Sequence, residues 1–362
     1  MSFFRPEIET MSGYVPGEQP QDGAFVKLNT NENPYPPSPA VAEAIRQTVA
    51  RLPKYPHPFG DPFRQKAAEH WGVEPDWILC GNGSDDILTI VTRTLVGTGD
   101  LLRLPYPSYI LYRTLAQLQG ANFEEVHFEP DWTLPKAFSA ATPVSPLPLG
   151  EGPGVRASSL KLVFLANPNS PSGTVVSPQK VLEIAERLPC PLLVDEAYVD
   201  FAETNCVELV KRCEKIMVSR SFSKSYALAG LRFGYLVAQP RLIEQFVKMK
   251  DSYNCDALSI AAAAAAFGDR EWLAANRAKI LATRGRLVAE MRKLGFVTVD
   301  SRANFVWNTR TDRPIRPFYE ELKRRHILVR YMDYPGWGDG LRISVGTEDE
   351  NDRCLEELRR IV

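Results

Sequence analysis

Apolar residues along this chain alternate between short runs and longer stretches with helical spacing. The runs WILCG and KLVFLANP are each followed by an amphipathic stretch, DDILTIVTRTLV and QKVLEIAERL. Three further runs, PLLVDEAYV, KIMVSRSF and FGYLVA, continue the series. Runs that are apolar throughout indicate strands buried on both faces. Their alternation with helices predicts a mostly parallel sheet between two helical layers.

The pattern changes near both ends of the chain. Towards the C-terminus, long helices are predicted over residues 271–294 and 348–361, with three apolar strand candidates between them. The first forty residues are rich in Pro, Gly and Asn, which favours extended or turning backbone before a helix near Pro39. We therefore predict three parts: an N-terminal segment that packs on the small domain (1–38), a large domain (39–265) and a small α+β domain (266–362).

One stretch fits neither domain. Residues 139–159 read SAATPVSPLPLGEGPGVRASS, which is rich in Pro, Gly, Ser and Ala and has no apolar period. Such a composition cannot bury enough apolar surface to order itself. It also stands directly before a strand, where connections are normally short. We interpret it as an insertion that the fold does not need, with a functional lid as the alternative.

Composition and charge argue against several kinds of partner. The net charge is -1 over 362 residues, which does not favour nucleic acid or an acidic membrane surface. No apolar run approaches the roughly 18 residues of a membrane span, and no signal-peptide pattern is visible. Six cysteines and four histidines are scattered without metal-ligand spacing, so no metal site is predicted. These observations favour a cytoplasmic enzyme that acts on small molecules.

The segment SRSFSKSYALAGLRFGY, residues 219–235, carries the strongest chemical signal. Lys224 stands among small hydroxyl residues, and Arg232 follows eight positions later. A lysine amine forms an imine with an aldehyde cofactor, while Ser221, Ser223 and Arg232 offer donors and positive charge to its phosphate. We predict that Lys224 binds such a cofactor; the simpler interpretation is a solvated Lys/Arg pair in a Ser-rich turn.

A carboxylate follows another of the predicted strands. The run PLLVDEAYVDF ends its apolar part at Asp195, and ligands meet open α/β sheets at the carboxyl ends of strands. The cofactor pyridoxal 5'-phosphate needs a carboxylate at its ring nitrogen, because the protonated ring withdraws electrons from the reacting carbon. Tyr198, three residues on, could hydrogen-bond the phenolic oxygen of the ring. The alternative role for Asp195 is a helix N-cap.

The segment CGNGSDDIL follows a strand and opens a helix. Glycines let backbone N–H groups approach a phosphate, and a helix N-terminus favours an anion. A dinucleotide would fit such a loop as well, but the third glycine of GxGxxG and an acidic residue about twenty positions later are missing. We therefore assign Gly83, Ser84 and Asp85 to the phosphate of pyridoxal 5'-phosphate.

A set of motifs appears in a fixed order along the chain: NENP, GNGSDD, PYPSY, NPNSPSG, DEAYVDF, SFSKSYALAGLR and GLRISVG. The set resembles the fold-type I pyridoxal-phosphate aminotransferases and, among them, the histidinol-phosphate aminotransferases. The resemblance runs from about residue 14 to the C-terminus, apart from residues 139–159. It implies an α/β fold with a mostly parallel sheet in a large domain, a smaller α+β domain, and pyridoxal 5'-phosphate as cofactor.

The resemblance also implies roles around the cofactor ring. Tyr109 of PYPSY would stack on the pyridine ring. Family members usually read NPNNPTG, in which the asparagine before the second proline bonds the ring oxygen, whereas this chain has Ser170 there. Ser170 could make a shorter-reaching bond, Asn169 could shift in, or Tyr198 could serve alone. Each alternative predicts a modest change in the pKa of the lysine–cofactor imine, with catalysis retained.

Further residues are implied at the substrate and at a subunit interface. Tyr55 in KYPHP matches a tyrosine that reaches the cofactor phosphate of the other subunit, which implies a homodimer with shared sites. Arg342 in LRISVG matches the arginine that binds the substrate α-carboxylate, because a guanidinium fork suits a planar anion. Arg330 and Tyr14 match positions near the phosphate or imidazole end of the substrate. Asn31 is also expected on the substrate side, unless NENP is only a turn.

The implied reaction is a ping-pong transfer between histidinol phosphate and 2-oxoglutarate, giving imidazole acetol phosphate and glutamate, within histidine biosynthesis. Lys224 would act as general base and acid. Three kinds of alternative stay open. The same fold could serve an aromatic aminotransferase or a threonine-phosphate decarboxylase. From other classes, an NAD-dependent oxidoreductase is opposed by the loop at Gly83, and the effector domain of a transcription regulator by the lack of a basic helix-turn-helix region.

Overall fold

The computed structural model describes residues 2–5, 8–9, 11, 13, 17–20, 25–142 and 159–362. Over these residues the chain forms two β-sheets with helices packed against them. The strands of this part of the chain, β1 to β12, are Val26–Leu28, Ile78–Gly81, Leu101–Tyr106, Asn122–His127, Leu160–Ala166, Leu192–Asp195, Ile216–Ser221, Gly234–Val237, Val297–Thr298, Phe305–Thr309, Ile327–Tyr334 and Gly338–Ser344.

The α-helices follow the apolar periodicity closely. Those in the described residues, α1 to α10, are Pro39–Val49, Asp61–Trp71, Ser84–Leu95, Leu111–Leu118, Pro178–Arg187, Pro240–Val247, Ala257–Gly268, Arg270–Lys293, Arg316–Arg324 and Glu348–Ile361. Side-chain oxygens of Ser38 and Thr347 accept hydrogen bonds from the first turns of α1 and α10, which fixes where these helices begin. The predicted helices near Pro39 and over residues 271–294 and 348–361 are confirmed.

The large sheet has seven strands in the order β2-β8-β7-β6-β5-β3-β4. The strands from β7 to β4 in this order pair in parallel, and only β8 runs antiparallel to its neighbours β7 and β2. The expectation of a mostly parallel sheet is therefore confirmed. The edge strand β4 was not predicted, because its sequence NFEEVH mixes charged and apolar positions and only two of its residues are buried.

The small sheet has five strands in the order β1-β11-β12-β10-β9. Its strand β1 pairs in parallel with β11, so residues 26–28 of the N-terminal segment belong to this sheet. One face of the sheet carries Val329, Leu341 and Ile343, which pack with Leu355 of α10 in a separate apolar core. The domain boundaries at residues 38 and 265 stay a prediction.

The insertion predicted at residues 139–159 leaves the large sheet beside Arg103 of β3. This side chain is fully buried and lies 2.7 Å from the Glu124 carboxylate of β4. Its other nitrogens donate to the carbonyl oxygens of Phe138, Ala140 and Thr142 at 2.6–3.1 Å. Residues 143–158 lie outside the described residues, so their interpretation as a dispensable insertion stays a prediction.

The part of the chain that the structure describes contains neither a membrane-spanning helix nor a metal-binding cluster. No helix there has both the length and the apolar character that crossing a bilayer requires. In the same residues, no group of three His, Cys, Asp or Glu side chains is arranged to hold a metal ion.

Candidate active site

The predicted site residues converge at the carboxyl edge of the large sheet. Strand β6 ends at Asp195, and its parallel neighbour β7 ends three residues before Lys224. The loops after β3 and β5 contain Tyr109 and Ser170. Parallel strands end at the same edge of a sheet, so residues distant in sequence meet there.

Lys224 is held by a motif from the N-terminal part of the chain. Its Nζ donates to the carbonyl oxygen of Thr30 at 3.0 Å and lies 5.8 Å from the centroid of the Tyr198 ring. The amide of Asn33 donates to the carbonyl oxygens of Lys224 and Ser225, each at 3.0 Å. The TNENP motif, residues 30–34, therefore contacts both the side-chain amine and the backbone carbonyl of this lysine.

Asp195 is a buried carboxylate whose hydrogen-bond donors are all neutral. One oxygen accepts from the Tyr112 hydroxyl at 2.8 Å, and the other accepts from the Ser219 hydroxyl at 3.3 Å and the Ala197 N–H at 3.2 Å. Burial raises the pKa of Asp195 to about 6, although the bond from Tyr112 lowers it, and the charge of Asp85 adds to the increase. A cation next to Asp195 would restore its ordinary ionisation.

Tyr198 is oriented by Asn31. The Asn31 amide donates to the Tyr198 hydroxyl at 3.0 Å. Asn31 is buried, and its own oxygens accept from Ser344 and Asn304 at 3.0 Å each. The ring of Tyr198 meets Phe305 edge-on at 5.0 Å. Asn31 was predicted on the substrate side; in the structure its side chain holds a cofactor-side tyrosine.

The start of helix α3 forms a cradle for an anion. Its N-cap is Gly83, at a φ of 87°, and no side chain caps the helix. This backbone angle favours glycine, and a Cβ atom here would lie 2.7 Å from the Arg232 guanidinium and displace it. The N–H groups from Ser84 onward thus begin a helix whose positive dipole end favours a phosphate.

Arg232 completes this cradle. One guanidinium nitrogen donates to the Ser223 hydroxyl at 3.2 Å, and another lies 3.5 Å from the Asp85 carboxylate. The Ser221 hydroxyl accepts from the Ser223 N–H at 3.2 Å. Because the Asp85 carboxylate would repel a phosphate, its side chain serves to orient Arg232, and only its backbone N–H suits the anion.

Tyr109 connects the two halves of the site. Its hydroxyl donates to the Asp85 carboxylate at 3.2 Å. Its ring meets Tyr112 edge-on, with centroids 5.6 Å apart, and Tyr112 in turn donates to Asp195. The aromatic ring predicted to stack on a cofactor is therefore fixed both at the phosphate cradle and at the buried carboxylate.

The two central residues of the NPNSPSG loop, Asn169 and Ser170, make different hydrogen bonds. Asn169 is buried; its oxygen accepts from the Ser108 hydroxyl at 2.8 Å and its amide donates to the Pro107 carbonyl oxygen at 3.1 Å. Ser170 instead accepts from the Arg342 guanidinium at 2.9 Å. Among the three alternatives left open by the sequence, this arrangement favours Ser170 over Asn169 at the ring oxygen.

Two arginines lie on one face of the small sheet. Arg330 of β11 and Arg342 of β12 are direct partners in the antiparallel register. Arg342 donates to the Asn29 carbonyl oxygen at 3.1 Å as well as to Ser170, and its Nε is buried with no hydrogen-bond partner in the described residues. An unpaired buried donor marks a place for an anionic ligand. Tyr14 lies outside the described residues.

Tyr55, also predicted as a site residue, lies on the surface of the chain. It is 82% exposed. Its ring stacks on that of Tyr253, with centroids 4.6 Å apart and an angle of 14° between the planes. The other predicted residues that the structure describes lie in or beside the site at the sheet edge.

Three functional neighbours were missed from the sequence. Tyr112 stands three residues after Tyr109, a spacing that aligns side chains on one side of a helix, and this signal could have found it. Thr30 acts through its backbone carbonyl, which no residue type reveals. Asn33 lies in the TNENP motif, but its partner at Lys224 is 191 residues away.

A family profile matches almost the whole chain. Residues 24–358 match the family described as aminotransferase class I and II. The chain belongs to the class I and II aminotransferases. This membership identifies an enzyme, so an oxidoreductase and a regulator's effector domain, the alternatives from other classes, are wrong.

Curated relatives of this aminotransferase are named histidinol-phosphate aminotransferases. It is 53% identical to the histidinol-phosphate aminotransferase of Rhodopirellula baltica over 359 residues, covering 99% of this chain and 95% of the relative. It is 40% identical to histidinol-phosphate aminotransferase 1 of Trichormus variabilis, covering 100% of this chain and 99% of the relative. The resemblance to histidinol-phosphate aminotransferases is confirmed.

A solved structure shares the fold. The histidinol-phosphate aminotransferase of Sinorhizobium meliloti, solved in complex with pyridoxal-5'-phosphate, superposes on this aminotransferase with a TM-score of 0.84. The two are 24% identical, and the match covers 100% of this chain and 99% of that one. The predicted fold class, an α/β fold-type I aminotransferase, is confirmed.

Proposed function

We propose that this aminotransferase transfers an amino group between histidinol phosphate and 2-oxoglutarate, with pyridoxal 5'-phosphate bound at Lys224. The observation that carries the proposal is that Asp195 and the loop of Lys224 lie at the carboxyl edge of the large sheet, where Arg342 of the small sheet reaches the Ser170 loop. The chain that carries them is 53% identical to a histidinol-phosphate aminotransferase over 359 residues. Its proposed partners are thus a small amino donor and a small keto acid.

The residues present fit pyridoxal 5'-phosphate. The uncapped start of α3 at Gly83, together with Arg232, suits its phosphate. Asp195 has neutral donors and a pKa raised by burial, so a protonated ring nitrogen would be its missing cationic partner. Tyr109 offers a face for the ring, and Tyr198 with Ser170 suits the ring oxygen. When bound, the cofactor supplies an electron-accepting ring and a carbonyl carbon that takes the amino group.

The chain's own residues would then divide the work. Lys224 Nζ would hold the cofactor and, once an incoming amine displaces it, would move a proton at the substrate Cα as general base and acid. The Asp195 carboxylate would hold a proton on the ring nitrogen through its negative charge. The Thr30 carbonyl oxygen accepts from Nζ at 3.0 Å and fixes where this amine lies.

The paired arginines suit the proposed substrates. Arg342 has a buried Nε without a partner in the described residues, which fits the α-carboxylate of glutamate. Arg330 lies directly opposite on the neighbouring strand. A second guanidinium on the same face suits the second carboxylate of glutamate or the phosphate of histidinol phosphate, and we assign Tyr14 to the same end.

We propose a homodimer in which Tyr55 of one copy reaches the phosphate cradle of the other. Tyr55 is 82% exposed, and Leu52, Phe59 and Tyr253 of the same surface are 49%, 40% and 46% exposed. Exposed apolar and aromatic groups that lie together are typical of a surface that a partner covers. A phenol hydroxyl at its rim would give the partner's phosphate one more donor.

A cytoplasmic location is also proposed. The six cysteines are free thiols in the structure, and five of them are buried. Free thiols persist where the compartment is reducing. Fractionation of the producing cell, with the enzyme followed by its transfer activity, tests this location.

The proposed function is tested with purified protein. The visible absorbance of bound pyridoxal 5'-phosphate should appear in the wild type and be lost in Lys224→Ala. Transfer to 2-oxoglutarate is then measured with histidinol phosphate, phenylalanine and aspartate. Histidinol phosphate should be preferred; preference for phenylalanine would make the enzyme an aromatic aminotransferase, and release of CO2 from threonine phosphate would make it a decarboxylase.

A further inference from the structure

A buried charged cluster lies beneath the loop that carries Lys224. We call Glu196, Asp200, Arg220 and Ser225 the Asp200 cluster. Arg220 lies 3.3 Å from the Asp200 carboxylate and 3.6 Å from that of Glu196. The side chains of Glu196 and Arg220 are 0% and 8% exposed, and that of Asp200 is 20% exposed. None of these residues belongs to the proposed cofactor or substrate contacts.

The Asp200 cluster touches the peptide next to Lys224. The Ser225 hydroxyl donates to the Asp200 carboxylate. Asn33 donates to the carbonyl oxygens of Lys224 and Ser225. The residue after the lysine is thus bound through its side chain to Asp200 and through its backbone to Asn33.

Asp200 is itself fixed from a second element. The guanidinium of Arg277 in α8 donates to the Asp200 carbonyl oxygen at 2.6 Å and to the Ala202 carbonyl oxygen at 2.9 Å. Arg284, about two turns further along α8, donates to the Phe201 carbonyl oxygen at 3.3 Å. The turn that carries Asp200 therefore has little freedom, and its carboxylate is a rigid acceptor.

A gain in folding stability does not by itself explain the Asp200 cluster. Removing charges from water costs free energy that a buried ion pair often fails to recover. Here Glu196 Oε2 and Arg220 Nη1 face each other at 3.6 Å, beyond hydrogen-bond distance, and neither has a hydrogen-bond partner in the described residues, so the arrangement is not optimised as an ion pair. A rigid charged acceptor does, however, fix the direction of any hydroxyl bonded to it.

We propose that Asp200 is a positioning residue for Lys224. Its carboxylate, held by Arg220, fixes Ser225 and thereby the direction in which the Lys224 side chain leaves the backbone. This inference rests on the proposed function, in which the Lys224 amine moves a proton at the substrate Cα. Small displacements of a reacting group are enough to slow such a step.

The test compares Ser225→Ala and Asp200→Asn with Ser139→Ala. Ser139 is a matched control, because it is also a buried serine and its hydroxyl donates to a backbone carbonyl near the insertion, at Lys136. Three quantities are measured: the rate at which apoprotein bonds added pyridoxal 5'-phosphate, kcat and KM, and the isotope effect of deuterium at the substrate Cα.

We expect Ser225→Ala to lower kcat and the rate of cofactor bonding by about tenfold, with KM within about twofold of wild type. The deuterium isotope effect should increase, because a misdirected amine makes proton transfer slower. Asp200→Asn should act in the same direction, and the double variant should add little, because both changes remove one interaction. Ser139→Ala should match the wild type in each measurement.

The inference is overturned if Ser225→Ala and Ser139→Ala have the same cofactor-bonding rate and isotope effect, even if both melt at lower temperature. It is also overturned if the two cluster variants are fully additive. Absence of transfer in the wild type would count against the proposed function instead. The rate of cofactor bonding by apoprotein would still decide the role of Asp200.

Discussion

Asp195 illustrates how a single residue is prepared for a ligand. It lies at the end of a buried strand with three neutral donors around it, and burial raises its pKa to about 6. A structural carboxylate in such a place would be paired with an arginine or lysine. Among the described residues Asp195 has no cationic donor of this kind, so the positive charge must come from a bound ligand. The protonated ring nitrogen of a pyridine cofactor supplies such a charge.

The stability of the apoprotein should depend on pH through this residue. The pKa of Asp195 is about 6 in the folded chain and about 3.9 when unfolded, so folding favours the protonated form. Its contribution to stability is complete below about pH 4 and is lost as the pH rises through 6. The loss amounts to at most about 3 kcal/mol.

Calorimetry of apoprotein between pH 4 and 7 tests this. Asp195→Asn should have a flatter dependence of Tm on pH than the wild type and should be the more stable of the two near pH 7, although it loses transfer activity. Glu196, whose pKa burial raises to about 7, contributes with the same sign to both proteins. Parallel curves for the two proteins would contradict the role assigned to Asp195.

Ser170 allows a second prediction at this scale. Ser170→Ala removes the acceptor that lies 2.9 Å from Arg342 and the hydroxyl that we propose for the ring oxygen. We expect KM for glutamate to rise about fivefold, since Arg342 loses a partner that orients it. The pKa of the lysine–cofactor bond, read from visible absorbance, should move by less than about one unit. A loss of kcat above a hundredfold would mean that Ser170 takes part in the chemistry itself.

At the scale of elements, the edge of the large sheet depends on Arg103. It joins β3 to β4 through Glu124 and binds the carbonyl oxygens of Phe138, Ala140 and Thr142, where the predicted insertion begins. The neighbouring pair Arg113 and Glu125 also connects this region but is 37% and 22% exposed. The two pairs differ in burial and in the three carbonyl oxygens that only Arg103 binds.

Arg103→Leu should lower the free energy of unfolding by about 3–5 kcal/mol, because a buried carboxylate loses its cation and three carbonyl groups lose a donor. Arg113→Leu should cost at most about 1 kcal/mol, since water screens an exposed pair. Urea denaturation measures both values. Activity per folded molecule should be unchanged in both variants, and equal costs would show that burial of the pair is not what matters.

At the scale of the whole molecule, the site needs both sheets. The small sheet supplies Arg330 and Arg342, while the large sheet supplies Asp195 and the loop of Lys224. The TNENP motif follows β1 of the small sheet and holds Lys224. The site is therefore complete only when the two sheets are packed together, and the proposed dimer would add Tyr55 to it.

Mixing two inactive variants tests the proposed dimer. Lys224→Ala lacks the amine, and Tyr55→Phe should bind cofactor weakly at limiting concentration. After subunit exchange, each hybrid dimer should contain one intact site, so about a quarter of wild-type activity should return. Activity equal to the sum of the separate variants would contradict sharing of sites. A mixture of wild type with Lys224→Ala, treated in the same way, provides the control for subunit exchange.

The sequence by itself identified the positions at which only one type of residue can serve. The run of buried strands, the glycine at the start of α3, Lys224 and Asp195 are marked by local spacing, because backbone geometry and cofactor chemistry restrict these positions. Helices with clear periodicity were predicted within one or two residues. Strand β4 was not, since an edge strand has little need for a continuous apolar run.

Only the tertiary structure decided which side chains meet. The bonds from Tyr112 to Asp195 and from Asn33 to Lys224 span 83 and 191 residues. They depend on strand order and on the loop that each strand enters, and neither is encoded in periodicity. Tertiary contacts also favour Ser170 over Asn169 at the ring oxygen, because the Asn169 side chain is already bonded to Ser108 and Pro107. Hydrogen bonds between distant segments follow from the fold as a whole, because packing fixes their geometry.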